Sequence, residues 1–240
     1  MRRIRIYTAQ ALAAGTQVEL QDDTAHYVSK VLRMRIGDPL CVFNGDGHEY
    51  EGYVEDISKK TVLLTLEAEL SPHTESQLHT ILGLGISRGE RMDFAIQKST
   101  ELGVSVIVPL FTEHCEVKLV AERLDRRQEH WQQIAISACE QSGRVKIPEV
   151  AKPVSLSEWV KTVEAGKKFL FDLSQSEALD GERPEQGVAL LIGPEGGLSA
   201  SEQELALKAG FTGIALGSRV LRTETAPVAA LSVLQYLWGS

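Results

Sequence analysis

Decisive for the fold is the stretch Leu191-Ile192-Gly193-Pro194-Glu195-Gly196-Gly197-Leu198-Ser199, together with a later one, Leu216-Gly217-Ser218-Arg219-Val220-Leu221-Arg222-Thr223-Glu224-Thr225-Ala226. Each stretch leaves an apolar strand, passes through glycine and opens a helix. Two turns of this kind near one another present main-chain N–H and C=O groups that no helix or strand uses. The pair therefore predicts the floor of a pocket for a small ligand with polar and apolar parts.

Around these turns, the sequence from residue 78 onward alternates between apolar strands and helices. We expect strands at Leu78–Ile86, Val104–Phe111, Phe169–Leu173, Val188–Ile192 and Gly213–Leu216. We expect helices from Ser87 to Gly103, over Leu124–Gln141, from Ser155 to near Gly166, from Ser199 to Gly210, and over Thr225–Trp238. A Glu three residues after Ser87, Ser155 and Ser199 gives each the spacing of a capping box. The alternation predicts an α/β fold with a parallel sheet covered on both faces, and ligands at the carboxyl ends of its strands.

Residues 1–72 predict a different, mostly β domain. Strands are expected at Gln17–Leu20, Leu40–Phe43, Tyr50–Val54 and Thr61–Leu66. Between them, His26–Arg33 reads as a short amphipathic helix with Val28, Val31 and Leu32 facing inward and Lys30 and Arg33 facing out. A small β-barrel fits this pattern. Because Ser71–Gln77 breaks all periodicity, the predicted domains are 1–72 and 76–240.

Composition narrows the class of protein. At 240 residues, 43% hydrophobic and 24% charged, the chain is an ordinary globular one. No apolar run approaches the roughly 20 residues of a membrane span, and the basic start lacks the apolar stretch of a signal peptide. The three cysteines have no CxxC spacing and the histidines are scattered, so we expect buried thiols, no metal and a cytoplasmic location.

The charge is unevenly distributed. The whole chain carries −8, whereas residues 1–35 hold six basic residues against three acidic ones. A basic N-terminal part on an acidic body predicts that this part docks on phosphates. A solvated charged surface is the alternative explanation.

Nucleotide-binding motifs are excluded. Gly83-Leu84-Gly85-Ile86-Ser87-Arg88 begins like GxGxxG but has Arg88 in place of the third glycine, and no Walker sequence is present. The glycines at 193–197 could serve only as turn residues. A charge at Glu195 and the consecutive polar residues from Arg222 to Thr225 exceed what a turn or a helix cap needs, which favours a functional site.

The two glycine-rich stretches strongly resemble those of the RsmE family of SPOUT methyltransferases, which modify N3 of a uridine in small-subunit ribosomal RNA. Further similar segments occur in the same order along the chain: Arg5-Ile6-Tyr7, His26 to Asp38, Ile96 to Val104, Ala138 to Arg144, and Pro148. The resemblance implies a PUA-like β-barrel that binds RNA, followed by a SPOUT domain with a trefoil-knotted parallel sheet. It also implies a homodimer that acts on 16S rRNA of the small ribosomal subunit. No membrane and no metal is expected as a partner, because the chain has no apolar run of spanning length and its cysteines and histidines are scattered.

The resemblance implies S-adenosylmethionine as cofactor, bound among three loops: Asp172–Ser176, Gly193–Gly197 and Leu216–Ala226. The cofactor-binding residues it indicates are Leu173, Ile192, Gly193, Pro194, Glu195, Gly197, Leu216, Leu221, Arg222, Thr223, Thr225 and Ala226.

Catalysis is expected to depend on Arg222 and Glu224. Uracil N3 carries a proton and is a poor nucleophile until that proton leaves. Arg222 would stabilise charge on the uracil oxygens, while Glu224 would accept the proton or position Arg222. A salt bridge that only supports the helix start is the alternative.

Candidate RNA-binding residues are basic and lie mostly near the N-terminus: Arg2, Arg3, Arg5, Lys30, Arg33, Arg35 and Arg144. Glu140 and Arg144 fit either substrate or cross-dimer contacts, or ion pairing beside the core. Two other functions stay open: a SPOUT enzyme that methylates a ribose 2′-hydroxyl or a tRNA base, and a non-catalytic RNA-binding ribosome-assembly factor.

Overall fold

The computed structural model describes residues 4–115, 121–171, 179 and 181–240. For residues 121–123 it describes the backbone only. The chain forms two compact units. Met1–Glu75 and Cys139–Ile147 make up what we call the N-terminal unit, and Ser76–Ala138 with Pro148–Ser240 the C-terminal unit. The short return of 139–147 to the N-terminal unit has no counterpart in the predicted boundaries.

The N-terminal unit is built on a five-stranded sheet. Its strands are β1 (Ile4–Tyr7), β2 (Gln17–Leu20), β3 (Pro39–Phe43), β4 (Glu49–Ile57) and β5 (Val62–Leu70). The order is β1-β3-β4-β5-β2, with β1 parallel to β3 and the other pairs antiparallel. Ile6 from one edge strand and Val18 and Leu20 from the other lie in the same core, as in a sheet that curls toward closure. The predicted mostly β architecture is confirmed, although β1 was not predicted.

A short helix covers this core. Helix α1 (Asp22–His26) continues as a π-helical turn, Tyr27–Val31. Val28 is fully buried, and Lys30 and Arg33 are exposed, as predicted. The prediction for Val31 is wrong, because 59% of this residue is exposed. The π-helical turn changes the period of the helix, so a spacing of 3.6 residues no longer identifies the buried face.

The C-terminal unit alternates strands and helices as predicted. Its strands are β6 (Thr80–Gly85), β7 (Val106–Phe111), β8 (Glu149–Val150), β9 (Val154–Ser155), β10 (Lys167–Phe171), β11 (Val188–Ile192) and β12 (Thr212–Ile214). Its helices are α2 (Glu90–Glu101), α3 (Ala121–Ser142, whose last turn belongs to the N-terminal unit), α4 (Leu156–Thr162), α5 (Ala200–Lys208) and α6 (Thr225–Trp238). The two-residue strands β8 and β9 were not predicted.

All strands of this sheet are parallel, in the order β12-β10-β11-β6-β7-β8, with β9 also paired to β7. Both faces are buried. Along β11, Leu190 and Ile192 belong to one core with residues of α2, α3 and α6, while Ala189 and Leu191 belong to a second core with residues of α4 and α5. The predicted parallel sheet covered on two faces is confirmed.

Helix starts follow two of the three predicted caps. Ser199 and Glu202 form a reciprocal capping box, and Ser155 accepts the N–H of Glu158. The third prediction is wrong, because α2 begins after Gly89 without a side-chain cap. The Ser87 hydroxyl instead lies within hydrogen-bonding distance of Gly85 O and Thr223 Oγ1, both at 3.3 Å.

Candidate active site

A cavity of about 650 Å3 opens at the carboxyl ends of β10 and β11. Its walls come from the ends of these strands, from the turn after β11, from the segment before α6, and from one residue each of α2 and α5. The lining residues are Arg91, Leu170, Phe171, Ile192, Gly193, Pro194, Glu195, Gly196, Gly197, Leu198, Gln203, Val220, Leu221, Arg222, Thr223, Glu224 and Ala226. The two glycine-rich stretches therefore meet around one space.

The first stretch is a tight turn with bare backbone. The N–H of Gly197 donates to Pro194 O at 2.9 Å, and Gly197 adopts a φ of 69°, which glycine tolerates best. Beneath the turn, a Cβ on Gly85 would overlap the main-chain nitrogen of Pro194 and lie 2.9 Å from the carbonyl carbon of Gly193. Only a glycine on β6 lets the turn approach the sheet this closely.

The second stretch is bonded to the first. Thr223 Oγ1 donates to Gly193 O at 2.9 Å, and Thr223 is 8% exposed. The N–H groups of Thr225 and Ala226 both donate to Arg222 O at 2.9 Å, which starts α6. Thr223 thus fixes the beginning of α6 against the turn after β11.

Glu195 lines the cavity, but its carboxylate is engaged elsewhere. One oxygen accepts the N–H of Arg88 at 3.1 Å and a guanidinium N–H of Arg91 at 3.2 Å. Burial raises the pKa of Glu195, but hydrogen bonds from its own N–H, Arg88, Arg91 and Ser87 outweigh burial and lower the pKa overall. The charge that suggested a ligand contact in the sequence therefore has structural partners in Arg91 of α2 and in the Arg88 N–H of the loop before it.

Arg222 and Glu224 lie at the cavity rim with different exposure. The Arg222 side chain is 82% exposed and that of Glu224 is 17% exposed, with Nη1 and Oε1 at 4.0 Å. At this distance the pair is at the limit of an ion pair, which contributes little stability at the surface. The guanidinium is thus accessible to a molecule that enters the cavity.

The predicted cofactor residues fall into three groups. Leu216 packs against the core and Thr225 is the first residue of α6; neither is among the lining residues. Leu173 and the rest of the Asp172–Ser176 loop lie outside the described residues. The others line the cavity: Ile192, Gly193, Pro194, Glu195, Gly197, Leu221, Arg222, Thr223 and Ala226. The sequence analysis missed five lining residues that lie outside the predicted loops. Leu170, Phe171 and Leu198 are apolar and look like core residues, and Arg91 and Gln203 lie within helices, where no local pattern distinguishes them from surface residues.

Comparison with known proteins gives a consistent result. A family model described as the RNA methyltransferase domain matches residues 74–235, and the RNA methyltransferase PUA domain matches 20–67. Ribosomal RNA small subunit methyltransferase E of Buchnera aphidicola (subsp. Schizaphis graminum) is 39% identical over 98% of this chain and 96% of its own length. This chain belongs to the ribosomal RNA small subunit methyltransferase E family.

Solved structures of similar proteins agree with this family. The methyltransferase E of Neisseria gonorrhoeae, bound to S-adenosyl methionine, is 36% identical, covers 99% of both chains and superposes with a TM-score of 0.92. A proposed methyltransferase of Legionella pneumophila, in complex with the cofactor SAM, is 42% identical over 98% of both chains, with a TM-score of 0.94.

In this methyltransferase E family member, the predicted RNA-binding residues differ in accessibility. Lys30, Arg33 and Arg35 are exposed, and Arg2 and Arg3 lie outside the described residues. The Arg5 side chain is only 9% exposed and donates to Glu49 at 2.9 Å and to the carbonyl of Cys139 at 2.6 Å.

Arg144 and Glu140 are likewise engaged within the N-terminal unit. Arg144 donates through Nε and Nη2 to Glu75, at 3.1 and 2.9 Å, and its side chain is 7% exposed. Glu140 accepts the N–H of Tyr7 at 2.9 Å. Burial raises the pKa of Glu140, opposed by the Tyr7 N–H and by Arg5. For both residues, the structure supports pairing beside the core over contact with substrate.

Among the described residues, no cluster of three or more metal-ligating side chains occurs. Within the same part of the chain, no helix is long and apolar enough to cross a membrane.

Proposed function

We propose that the chain transfers a methyl group from S-adenosylmethionine to N3 of a uridine in 16S rRNA of the small ribosomal subunit, as a cytoplasmic homodimer. Family membership shows that the chain is an S-adenosylmethionine-dependent ribosomal RNA methyltransferase; the target atom and nucleotide are the proposal. The single observation that carries the proposal is the cavity between two hydrogen-bonded glycine-rich loops, with an accessible arginine at its rim.

The cavity suits the cofactor in size and chemistry. A volume of about 650 Å3 falls within the range of small-molecule sites. Leu170, Phe171 and Ala226 supply apolar surface. The main chain of the turn after β11 supplies the hydrogen-bonding groups that remain besides the Gly193 carbonyl and the Gly197 N–H, which bond to Thr223 and Pro194. When bound, the cofactor supplies an electrophilic methyl group. Further main-chain contacts at Ile192, Leu216 and Leu221, and a contact from Leu173, belong to the same proposal.

Arg222 and Glu224 would prepare the uracil. Deprotonation at N3 places negative charge on the two uracil oxygens, and an exposed guanidinium can donate to them. The Glu224 carboxylate, 4.0 Å from that guanidinium, either holds Arg222 in position or takes the proton. Positioning of the two reactants supplies the rest of the rate acceleration.

The RNA backbone would be held by exposed basic residues of the N-terminal unit. Lys30, Arg33 and Arg35 have the required accessibility, and the proposal retains Arg2 and Arg3. Arg5 and Arg144 leave this set because their guanidinium groups are buried against carboxylates and carbonyls of their own unit. The target base must leave its stack to enter the cavity.

The SPOUT trefoil knot belongs to the proposal too. β12 lies at the sheet edge next to β10, yet the segment after β12 reaches Ser87 beyond the end of β6. The chain must therefore cross the ends of β10 and β11 before α6 begins. A crossing of this kind departs from the short, uncrossed connections of most sheets and is one that a threaded chain requires.

Exposed apolar side chains support the homodimer. Tyr236 and Leu237 on α6 are 88% and 38% exposed, and Phe94 on α2, which packs against α6, is 45% exposed. Exposed apolar patches mark interaction sites. Sedimentation of the wild type against Tyr236→Glu would reveal whether α6 mediates self-association.

The proposed reaction is tested by mapping its product. Ribosomal RNA and small subunits are incubated with the protein and isotope-labelled cofactor, then digested to nucleosides for mass spectrometry. We expect label in 3-methyluridine from 16S rRNA. Label in a 2′-O-methylated nucleoside or in tRNA would replace the N3 assignment, and tight cofactor binding without any product would favour an assembly factor.

A further inference from the structure

A second cavity, of about 270 Å3, lies in the N-terminal unit. One wall is formed by α1 and the π-helical turn after it, and the other by the turn between β4 and β5. Its lining residues are Asp22, Ala25, His26, Ser29, Lys30, Ser58, Lys59, Lys60 and Thr61. None of them lines the larger cavity. We call this the lysine cavity.

Positive charge dominates the lysine cavity. Its lining includes three lysines, Lys30, Lys59 and Lys60, and a single carboxylate, that of Asp22. Within the described part of the chain, none of these three ammonium groups has an ion-pair partner. Lysines that do pair with a carboxylate lie in the C-terminal unit: Lys98 with Glu101, Lys152 with Asp125, and Lys208 with Glu204. Three cations without ion-pair partners among the described residues surround the lysine cavity, which favours binding of an anion there.

The turn that carries two of the lysines is fixed by its own hydrogen bonds. The Ser58 N–H donates to Thr61 O at 2.9 Å, and Ser58 Oγ accepts the N–H groups of Lys60 at 3.3 Å and Thr61 at 3.0 Å. The two hydroxyl oxygens of Ser58 and Thr61 are 2.8 Å apart. Because the backbone is already ordered, an anion bound there orders only the lysine side chains.

The opposite wall is fixed to the core. Ala25 and Val28 are 4% and 0% exposed, so the helical segment cannot move away from the sheet without breaking the core. Ser29 Oγ donates to Ala25 O at 2.8 Å, which further ties down this segment. Lys30 and His26 project from this anchored segment and are exposed. Both walls therefore present their donors from rigid backbone.

We propose that the lysine cavity binds one phosphate group of the RNA backbone. A phosphodiester offers charged oxygens that only accept hydrogen bonds, which matches three ammonium groups and a neighbouring imidazole. The cavity would fix the position of the RNA on the N-terminal unit without reading its sequence. Lys59 and Lys60 thereby join Lys30 in binding the substrate. The inference rests on the proposed function, because it takes RNA to be the substrate.

The test compares two double variants that lose the same charge. Lys59→Ala/Lys60→Ala removes two cations from the lysine cavity, and Lys161→Ala/Lys208→Ala removes two exposed cations from α4 and α5. Affinity for 16S rRNA is measured by filter binding at several salt concentrations. We expect the first variant to bind about tenfold more weakly, and the slope of log affinity against log salt to fall by about one. The second variant should bind like the wild type.

Three further measurements separate the outcomes. Cofactor affinity, by calorimetry, and thermal unfolding should be unchanged in Lys59→Ala/Lys60→Ala, and Lys59→Arg/Lys60→Arg should restore RNA affinity. Wild-type affinity and salt slope in the alanine variant would overturn the inference. Saturable binding of inorganic phosphate at Lys59 and Lys60 by NMR, with no effect of the variant on RNA, would mean a site for free phosphate only.

The proposed reaction can fail independently of the lysine cavity. A wild-type protein that makes no 3-methyluridine, while Lys59→Ala/Lys60→Ala still weakens RNA binding, removes the reaction and keeps the phosphate site. If the wild type forms 3-methyluridine and Lys59→Ala/Lys60→Ala binds RNA as the wild type does, the proposed reaction stands and the phosphate site is removed.

Discussion

Arg222 extends its guanidinium into solvent at the cavity rim, where its ion-pair contact within the described residues is Glu224, at 4.0 Å. We predict that Arg222→Ala lowers the methylation rate by about 10² to 10³-fold, because one charge-stabilising donor is lost. Cofactor affinity should stay within a few-fold, since backbone groups make the proposed cofactor contacts. Single-turnover methylation and calorimetric titration measure the two quantities.

Arg219 provides a matched control for this prediction. It lies in the same loop, is exposed, and is not among the cavity-lining residues. Arg219→Ala should retain the wild-type rate. If Arg222→Ala also methylates at full rate, Arg222 has no catalytic role and its proximity to Glu224 is structural.

Glu140 is a half-buried carboxylate whose hydrogen bond stabilises the fold while its desolvation opposes it. It accepts the Tyr7 N–H at 2.9 Å, yet burial raises its pKa above the ordinary 4.5. Glu140→Gln keeps an acceptor without the charge, so its free energy of unfolding should match or exceed that of the wild type at pH 7. Glu140→Ala leaves the half-buried Tyr7 N–H without this acceptor and should lower the free energy of unfolding by about 1–2 kcal/mol. Urea denaturation measures both.

The pH dependence of the same comparison has a defined sign. A raised carboxyl pKa means that the folded state prefers the protonated form, so ionisation destabilises the wild type as pH rises above the ordinary value of 4.5. The stability of Glu140→Gln relative to the wild type should therefore increase as the pH is raised from 4 toward neutrality. A constant difference across this range would contradict the assigned cause.

Among the secondary-structure elements, strand β6 contains two glycines, Gly83 and Gly85, that pack against different groups. A Cβ on Gly85 would overlap the backbone of Pro194, whereas a Cβ on Gly83 would overlap only the ring of Trp159. Both Ala variants should lose stability, by about 1–3 kcal/mol, through overpacking. Only Gly85→Ala displaces the turn after β11, so only this variant should also weaken cofactor binding. Calorimetry on the folded variants distinguishes them, and equal cofactor affinity would show that the turn adjusts freely.

The loop before α2 is held to the turn after β11 by Glu195. Glu195→Gln should lower the free energy of unfolding by about 1–2 kcal/mol at pH 7, because charge-assisted bonds to Arg88 and Arg91 weaken. Since the folded pKa lies below 4.5, this stability is present above pH 4.5 and is lost as the pH falls through the folded pKa. The difference between variant and wild type should narrow in acid, whereas Glu185→Gln, at an exposed position, should change nothing.

Elements with strong local signals could be predicted from the sequence. β2, β11 and α6 have the predicted bounds, and the capping box at Ser199 marks the start of α5. Prediction from local sequence failed where a side chain contacts a residue that is distant in the sequence. Ser87 matches a cap by spacing, but its hydroxyl lies beside Thr223, far along the chain. No periodicity reports such a contact.

At the scale of the whole molecule, a segment distant in sequence completes the N-terminal unit. Glu75 accepts the N–H groups of Val145 and Lys146, at 2.9 and 3.0 Å, and binds the Arg144 guanidinium. We predict that Glu75→Ala lowers the free energy of unfolding by roughly 3 kcal/mol, because the buried Arg144 guanidinium loses this carboxylate. Urea denaturation tests this, with exposed Glu164→Ala as a control that should stay within about 0.5 kcal/mol.

The sequence could predict the cavity better than it could predict this discontinuous unit. Glycine-rich turns at strand ends carry their meaning locally, and nine of the twelve predicted cofactor residues line the cavity. The return of Cys139–Ile147 depends on pairings with Arg5, Tyr7 and Glu75, none of which has a local pattern. Arg5 and Arg144 show the same difficulty, because a basic residue reads alike whether it faces a phosphate or a buried carboxylate.

During translation, the hydrogen bond between Thr223 and Gly193 can form only after the whole C-terminal sheet has been synthesised. The ribosome adds residues 220–226 after every strand of the C-terminal sheet, yet these residues form one wall of the cavity. A nascent chain halted before them can already carry a folded N-terminal portion but lacks one wall of the proposed cofactor cavity. If the proposed sites are right, such an incomplete chain binds RNA but not S-adenosylmethionine, and cofactor binding first becomes possible once Thr223 has been added.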